Sequence, residues 1–189
     1  MDHAELLLRP AEAVDAPAVT ALVRQAYRGE SSRAGWTTEA DLLDDQRITE
    51  EEVRHKITRP DGTVLLAWAG TELIACCELH DRGDDLAYFG MFAVRPERQA
   101  GGLGRWLLAR AEDFARRNWG TRTMEMTVIG QRSELIDWYL RRGYRRTGQT
   151  RPFPYDQLVS GQALRDDLYF TVLDKPLTST PEISQAKGP

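Results

Sequence analysis

The stretch from Leu86 to Asn118 constrains this chain more than any other. An apolar run of strand type, Leu86 to Val94, ends just before Pro96. A glycine-rich turn follows, Gln99-Ala100-Gly101-Gly102-Leu103-Gly104, and a helical pattern begins at once, with Leu107, Ala111, Phe114 and Ala115 on one stripe. A strand, a glycine turn and a helix start bring free backbone N–H groups together at the positive end of a helix dipole. Glycine lets the backbone come close to an anion with no Cβ in the way. The turn therefore reads as an anion site, and the flanking segments read as its support.

The totals set the frame. A chain of 189 residues with 41% apolar and 29% charged residues can bury the core of one domain. A net charge of -4 supplies no basic balance of the kind that neutralises nucleic-acid phosphates. The two cysteines, Cys76 and Cys77, are adjacent, so no disulfide framework is indicated and they read as small buried residues. The opening MDHAELLLRP carries no signal-peptide pattern, and no run reaches the ~18 apolar residues of a membrane span. A soluble cytoplasmic protein is expected. His3, His55 and His80 have no ligand spacing, so no metal site is expected.

Taken in order, Leu6 to Leu8 predicts a first strand, and Asp15 with Pro17 opens a helix that ends near Gly29. Thr37 or Thr38 is expected to cap a short helix through Leu42 and Leu43, and Thr49 with Glu52 forms a capping box for another. Thr63–Ala69 and Glu72–Leu79 form a hairpin about Gly70-Thr71. After the glycine turn and its helix, Thr121–Val128 alternates as a strand, and Ser133 caps a helix that stops at Gly143. Tyr144 begins a further strand interrupted at Pro152-Phe153-Pro154, and Leu168–Leu173 is the last. From Pro176 the composition is polar, so residues 1–175 form the expected domain and 176–189 a disordered tail. The hairpin and the late strand pair imply a largely antiparallel sheet with one parallel crossover, an α/β mixed fold.

Two other phosphate loops fail at the turn. A dinucleotide fingerprint needs glycine where Leu107 stands, and a Walker loop needs Lys and Ser or Thr where Arg105 and Trp106 stand. What remains, Val94-Arg95-Pro96-Glu97-Arg98-Gln99-Ala100-Gly101-Gly102-Leu103-Gly104, resembles the acyl-CoA pyrophosphate loop of the GNAT N-acetyltransferase superfamily, with Ala100 in place of its first glycine. Trp138-Tyr139-Leu140-Arg141-Arg142-Gly143-Tyr144 resembles the aromatic-Tyr segment of the same families, at the expected distance downstream.

The resemblance implies a twisted, largely antiparallel sheet of about six to seven strands flanked by helices, whose central parallel strands splay apart. It implies acetyl-CoA as co-substrate and transfer of its acetyl group to a primary amine by direct attack in a ternary complex. The pantetheine arm would pair with backbone groups of Phe92 and Val94, and a bulge at Gly90 would aim an N–H at the thioester carbonyl. The pyrophosphate would rest on Gln99, Ala100, Gly101, Gly102, Leu103, Gly104 and Arg105.

Tyr139 takes the general-acid position of the family, donating a proton to the departing thiolate; on the residues alone it is an aromatic on a buried stripe beside Leu135 and Trp138. Where several relatives carry a base glutamate this chain has Tyr88, so Glu78, His80 and Glu125 stand as substitutes. Arg132 replaces an asparagine frequent in relatives. Arg141, Arg142, Arg145 and Arg146 read as a solvated face, whereas the acidic runs at Asp41, Asp44, Asp45 and at Asp81, Asp84, Asp85 can draw a cationic amine. A non-catalytic acyl-CoA-binding module is the alternative. The acceptor, a small molecule or peptide amine, is left open, and its contacts are expected in Gly29–Gly62 and around Pro152–Tyr155. Late edge strands leave a homodimer open.

Overall fold

A computed structural model describes residues 5–28 and 39–177. The expected helix end at Gly29, the caps at Thr37 or Thr38 and the tail beyond residue 177 lie outside the described residues.

The chain begins with β1 (Leu7–Pro10), a 3-10 turn at Ala13–Asp15 and helix α1 (Ala16–Tyr27). Asp15 does not cap α1 as expected. Its carboxylate accepts from both terminal nitrogens of Arg9 (2.7 and 2.8 Å) and from the Glu12 N–H (2.7 Å), which fixes the 3-10 turn instead. The Arg9 hydrogen bonds hold the Asp15 carboxyl below the usual carboxylate range. No helix reaches Leu43: residues 40–42 form a turn, and β2 (Leu43–Asp44) pairs with a distant two-residue strand. Helix α2 (Glu50–Thr58) starts on the expected box, with Thr49 Oγ1 accepting from the Glu52 N–H at 3.1 Å and Glu52 accepting from the Thr49 N–H at 2.7 Å.

Strands β3 (Gly62–Ala69) and β4 (Glu72–Asp81) form the expected hairpin, and β5 (Leu86–Val94) follows. Helix α3 (Leu103–Trp119) leads to β6 (Thr123–Ile129), and helix α4 (Ser133–Leu140) to β7 (Arg145–Pro152). Ser133 is the first helical residue of α4; Arg132 holds the cap position, with no side-chain hydrogen bond to the helix. The two-residue β8 (Gln162–Ala163) is the partner of β2, and β9 (Tyr169–Pro176) carries the last strand past Leu173 to Pro176.

Among the described residues, seven strands make one sheet in the order β1-β3-β4-β5-β6-β9-β7. Every pair is antiparallel except β5 with β6. The expected six- to seven-stranded mixed fold is the one observed. Helices α1 and α2 bury Val19, Leu22, Val23 and Val53 against one face, where Val64, Leu66 and Ala93 point. Helices α3 and α4 bury Leu107, Ala111 and Ile136 against the other, with Leu65, Phe89 and Met126.

Strand β5 changes phase on the way. Ala87 and Phe89 face α3 and α4, and so do Phe92 and Val94, which lie at the opposite parity. A bulge accounts for the switch: Glu78 of β4 is opposite Gly90, but Cys76 is opposite Ala93, so β5 spends one residue more than its partner. The residue with positive φ is Met91 (42°), not Gly90.

Candidate active site

The parallel pair β5–β6 is short. Its register runs from Leu86 opposite Thr123 to Tyr88 opposite Glu125 and stops there. Beyond that point β6 stays with β9 as far as Ile129, and β5 stays with β4 through the bulge. The two strands diverge around a cavity of about 130 Å³ whose walls include Gly90, Phe92, Thr127, Val128 and Tyr139. The splay expected from the sequence is present.

Its closed end is pinned by Tyr88. The Tyr88 hydroxyl is 3.0 Å from Thr127 Oγ1 across the gap, and the Arg82 guanidinium covers the ring at 4.4 Å. Gly90 lies under the same ring; a Cβ there would sit 2.6 Å from Tyr88 Cε1. The glycine is needed for this close approach rather than for a positive φ.

The glycine turn lies at the other end of β5. Pro96–Gly101 coil into a 3-10 turn, and Gly102 takes the left-handed conformation (φ 77°) that joins it to α3. The first bond of α3 is Trp106 N–H to Gly102 C=O at 3.0 Å, so the N–H groups of Gly102, Leu103, Gly104 and Arg105 have no acceptor within the helix. No side chain caps them. The Gln99 side-chain amide turns back to donate to the Val94 carbonyl at 2.9 Å. The Phe92 carbonyl accepts the Tyr27 hydroxyl at 2.6 Å. Arg142, expected on a solvated face, lies flat on Trp138 at 3.5 Å. Burial makes its guanidinium easier to deprotonate than usual, and the charges of Arg141 and Arg105 add to that effect. Such a concentration of positive charge and free N–H donors suits a polyphosphate.

Tyr139 is 4% exposed on α4, edge-on to Trp138 (5.0 Å) and Tyr144 (5.7 Å). Its hydroxyl has no hydrogen-bond partner among the described residues, and burial pushes the phenol well above its ordinary range. It is a protonated donor at neutral pH, and its residue lines the cavity.

The candidate bases stand elsewhere. Both oxygens of Glu78, 4% exposed, accept from Lys56 Nζ (3.0 and 2.8 Å), with Arg59 at 3.8 Å. Glu125 takes Arg82 and Arg151 on one oxygen, and His80 lies between Asp61 and Arg59, 2.8 Å from each. None of the three lines the cavity.

Residues that the sequence did not single out complete the site. A second cavity of about 240 Å³ shares Glu39, Arg47, Ile129 and Phe170 with the first. Its lining includes Leu43 and Lys56, and Phe153 and Pro154, from the two segments expected to carry acceptor contacts, together with Arg28 just before the first of them. Glu39 receives Arg28 at 2.8 Å, with Arg47 at 3.8 Å and Arg132 at 3.9 Å. These residues carry no motif; only the tertiary fold brings them together.

Residues 23–144 match the model of the acetyltransferase (GNAT) family. The chain belongs to that family. GNAT structures also share its fold along nearly the whole length. The ribosomal-protein-S18-alanine N-acetyltransferase of Escherichia coli is 17% identical, with 94% of this chain and 97% of that one covered and a TM-score of 0.67. A spermidine N-acetyltransferase chimera of Vibrio cholerae and hSSAT is 16% identical over 92% of this chain and 96% of that one, with a TM-score of 0.66. The yncA protein of Salmonella typhimurium, solved with its cofactor acetyl-CoA, is 20% identical over 92% and 95%, with a TM-score of 0.65. No curated protein matches the chain. Among the described residues, no helix is long and apolar enough to cross a membrane. The GNAT assignment makes the protein an acetyl-transferring enzyme and makes the cleft between β5 and β6 its candidate active site.

Proposed function

We propose that this enzyme moves the acetyl group of acetyl-CoA to a primary amine by direct attack in a ternary complex. The observation that carries the reading is the protonated Tyr139 hydroxyl, on a buried ring beside the cavity where the parallel strands part and with no hydrogen-bond partner among the described residues. Acetyl-CoA supplies an activated thioester. The N–H groups of Gly102 to Arg105, with Gln99, Ala100 and Gly101 before them, would hold its pyrophosphate, and Phe92 and Val94 would hold its pantetheine amides. Both carbonyls already accept a side-chain donor, so they would offer their second lone pairs. The bulge at Gly90 and Met91 would present N–H donors to the thioester carbonyl oxygen. Tyr139 would give its proton to the leaving sulfur.

The amine must arrive neutral. Glu78 and Glu125 are each bonded to cations and lie off the cavity, so we assign proton removal to solvent in the second cavity rather than to either carboxylate. The same observation favours the alternative, a module that binds acyl-CoA without chemistry. An amine panel followed by thiol release separates them: acetyl-CoA-dependent release with any amine supports the enzyme reading, and binding of acetyl-CoA with no release supports the module. The small-molecule or peptide acceptor would enter through the second cavity. We place the enzyme in the cytoplasm and leave a homodimer through its edge strands as an expectation for a sizing measurement.

A further inference from the structure

Arg47 is the unusual residue of the second cavity. It has φ 67°, and the Ile48 N–H bonds to the Gln46 carbonyl at 2.8 Å across it, so it stands at the centre of a γ-turn with positive φ. That conformation is rare and strained for a residue with a Cβ, and persists only where the surroundings enforce it. Here they do. Arg24 of α1 clamps the Ile48 carbonyl through two nitrogens (3.0 and 2.8 Å) and the Gln46 side chain at 3.1 Å, and the Gln46 N–H reaches the Val159 carbonyl at 2.8 Å. The product of this scaffold is the direction of one side chain. Arg47 reaches the junction of the two cavities and stacks over Tyr27 at 5.0 Å.

The other charges at that junction are already used. Asp45 and Glu39 are bonded to Arg28 at 2.6 and 2.8 Å, and Lys56 is bonded to Glu78. Glu52 folds back on Thr49 as a helix cap, and Arg132 lies toward the far oxygen of Glu39. Arg47 makes no hydrogen bond among the described residues. Its nearest carboxylate oxygen, on Glu39, is 3.8 Å away, and its Nε is buried without a partner. The guanidinium is half-buried, but its Nε–H is shut off from solvent with no acceptor, which is costly, and a planar anion satisfies it.

From this geometry we infer that the acceptor is an amine that also carries a carboxylate or similar anionic group, and that Arg47 holds the anion. This rests on the acetyltransferase reading and narrows its substrate class. A polycation such as spermidine gains nothing from Arg47, and the carboxylates of the cavity are already engaged, Glu39 and Asp45 by Arg28 and Glu52 by Thr49.

The test compares kcat/KM by thiol release for matched pairs: glycine with glycinamide, alanine with alaninamide, β-alanine with its amide, and spermidine as the cationic arm. Wild type should turn over a carboxylate member and prefer it to its amide by about tenfold to a hundredfold, the worth of one charge-assisted hydrogen bond. In Arg47→Met that preference should collapse, chiefly through KM, and Arg47→Lys should recover part of it. The thermal shift produced by acetyl-CoA, read on each variant, reports folding and cofactor binding independently. Equal use of acid and amide, preference for spermidine, an unchanged preference in folded Arg47→Met, or no turnover of any acid by a protein that binds acetyl-CoA would each overturn the inference. Absence of the acetyl-CoA shift in wild type would instead overturn the function on which it rests.

Discussion

The Tyr27 hydroxyl donates to the Phe92 carbonyl across 2.6 Å. This bond ties the last residue of α1 to β5 at the point where β5 has left β6, and the tyrosine ring also supports Arg47. One side chain thus connects the cofactor strand to the acceptor cavity. Tyr27→Phe removes the bond but keeps the ring, and should cost about 1 kcal/mol of stability. Urea unfolding would show it as a lower midpoint with an unchanged slope.

Gly90→Ala places a methyl carbon against the Tyr88 ring, which Thr127 and Arg82 hold in place. The ring must move and the closed end of the cleft must open. A loss of about 1 to 3 kcal/mol is expected, with a fall in kcat. Tyr88→Phe in the same background should recover little, because the clash is with the ring and not with its hydroxyl.

For Tyr139→Phe the two readouts should separate. The hydroxyl has no hydrogen-bond partner among the described residues, so the melting temperature should hold or rise slightly. If the hydroxyl is the acid, kcat should fall about a hundredfold, within the usual worth of a positioned proton donor, and KM for acetyl-CoA should change little. Full turnover in the variant would remove the acid role.

Alkaline pH should destabilise the protein. Burial raises the Cys76 thiol from 9.0 to about 12, and raises Cys77, Tyr27, Tyr139 and Tyr144 as well. A raised pKa in the folded state gives stability that is complete below the unfolded value and is lost above it, as the unfolded chain ionises first. Unfolding free energy should therefore hold to about pH 9 and then fall, each thiol contributing about 1.4 kcal/mol per pH unit. Urea midpoints between pH 8 and 11 measure this, and replacing both cysteines with alanine should flatten the fall.

What could be read from the sequence was local. The Thr49–Glu52 box, the hairpin about Gly70-Thr71 and the strand–turn–helix at Gly102 each depend on residues within a few positions, so their side chains announce them. The bulge beside Gly90 was expected only through the family resemblance; the residues alone do not show it, because its cause is the β4 partner and an apolar strand buried on both faces has no alternation to interrupt. Ser133 had the right chemistry for a cap but stands one residue inside the helix. Asp15 had it too, but Arg9 claims its carboxylate. Leu43–Asp44 became a strand because Gln162–Ala163, far along the chain, pairs with it. The site divided the same way: Tyr139 and the glycine turn carried motifs, whereas Arg47 and Glu39 are brought to the cavity only by tertiary contacts.

Binding of acetyl-CoA in the cleft between β5 and β6 is checked by a thermal melt with added ligand. At a concentration about a hundred times Kd, binding to the folded state adds about 2.7 kcal/mol. For a domain of this size that is a rise of about 5 to 10 °C. Acetyl-CoA and CoA should both produce it, and ATP and NAD should not. No shift with millimolar acetyl-CoA, or an equal shift with ATP, would rule out a cleft built for acetyl-CoA.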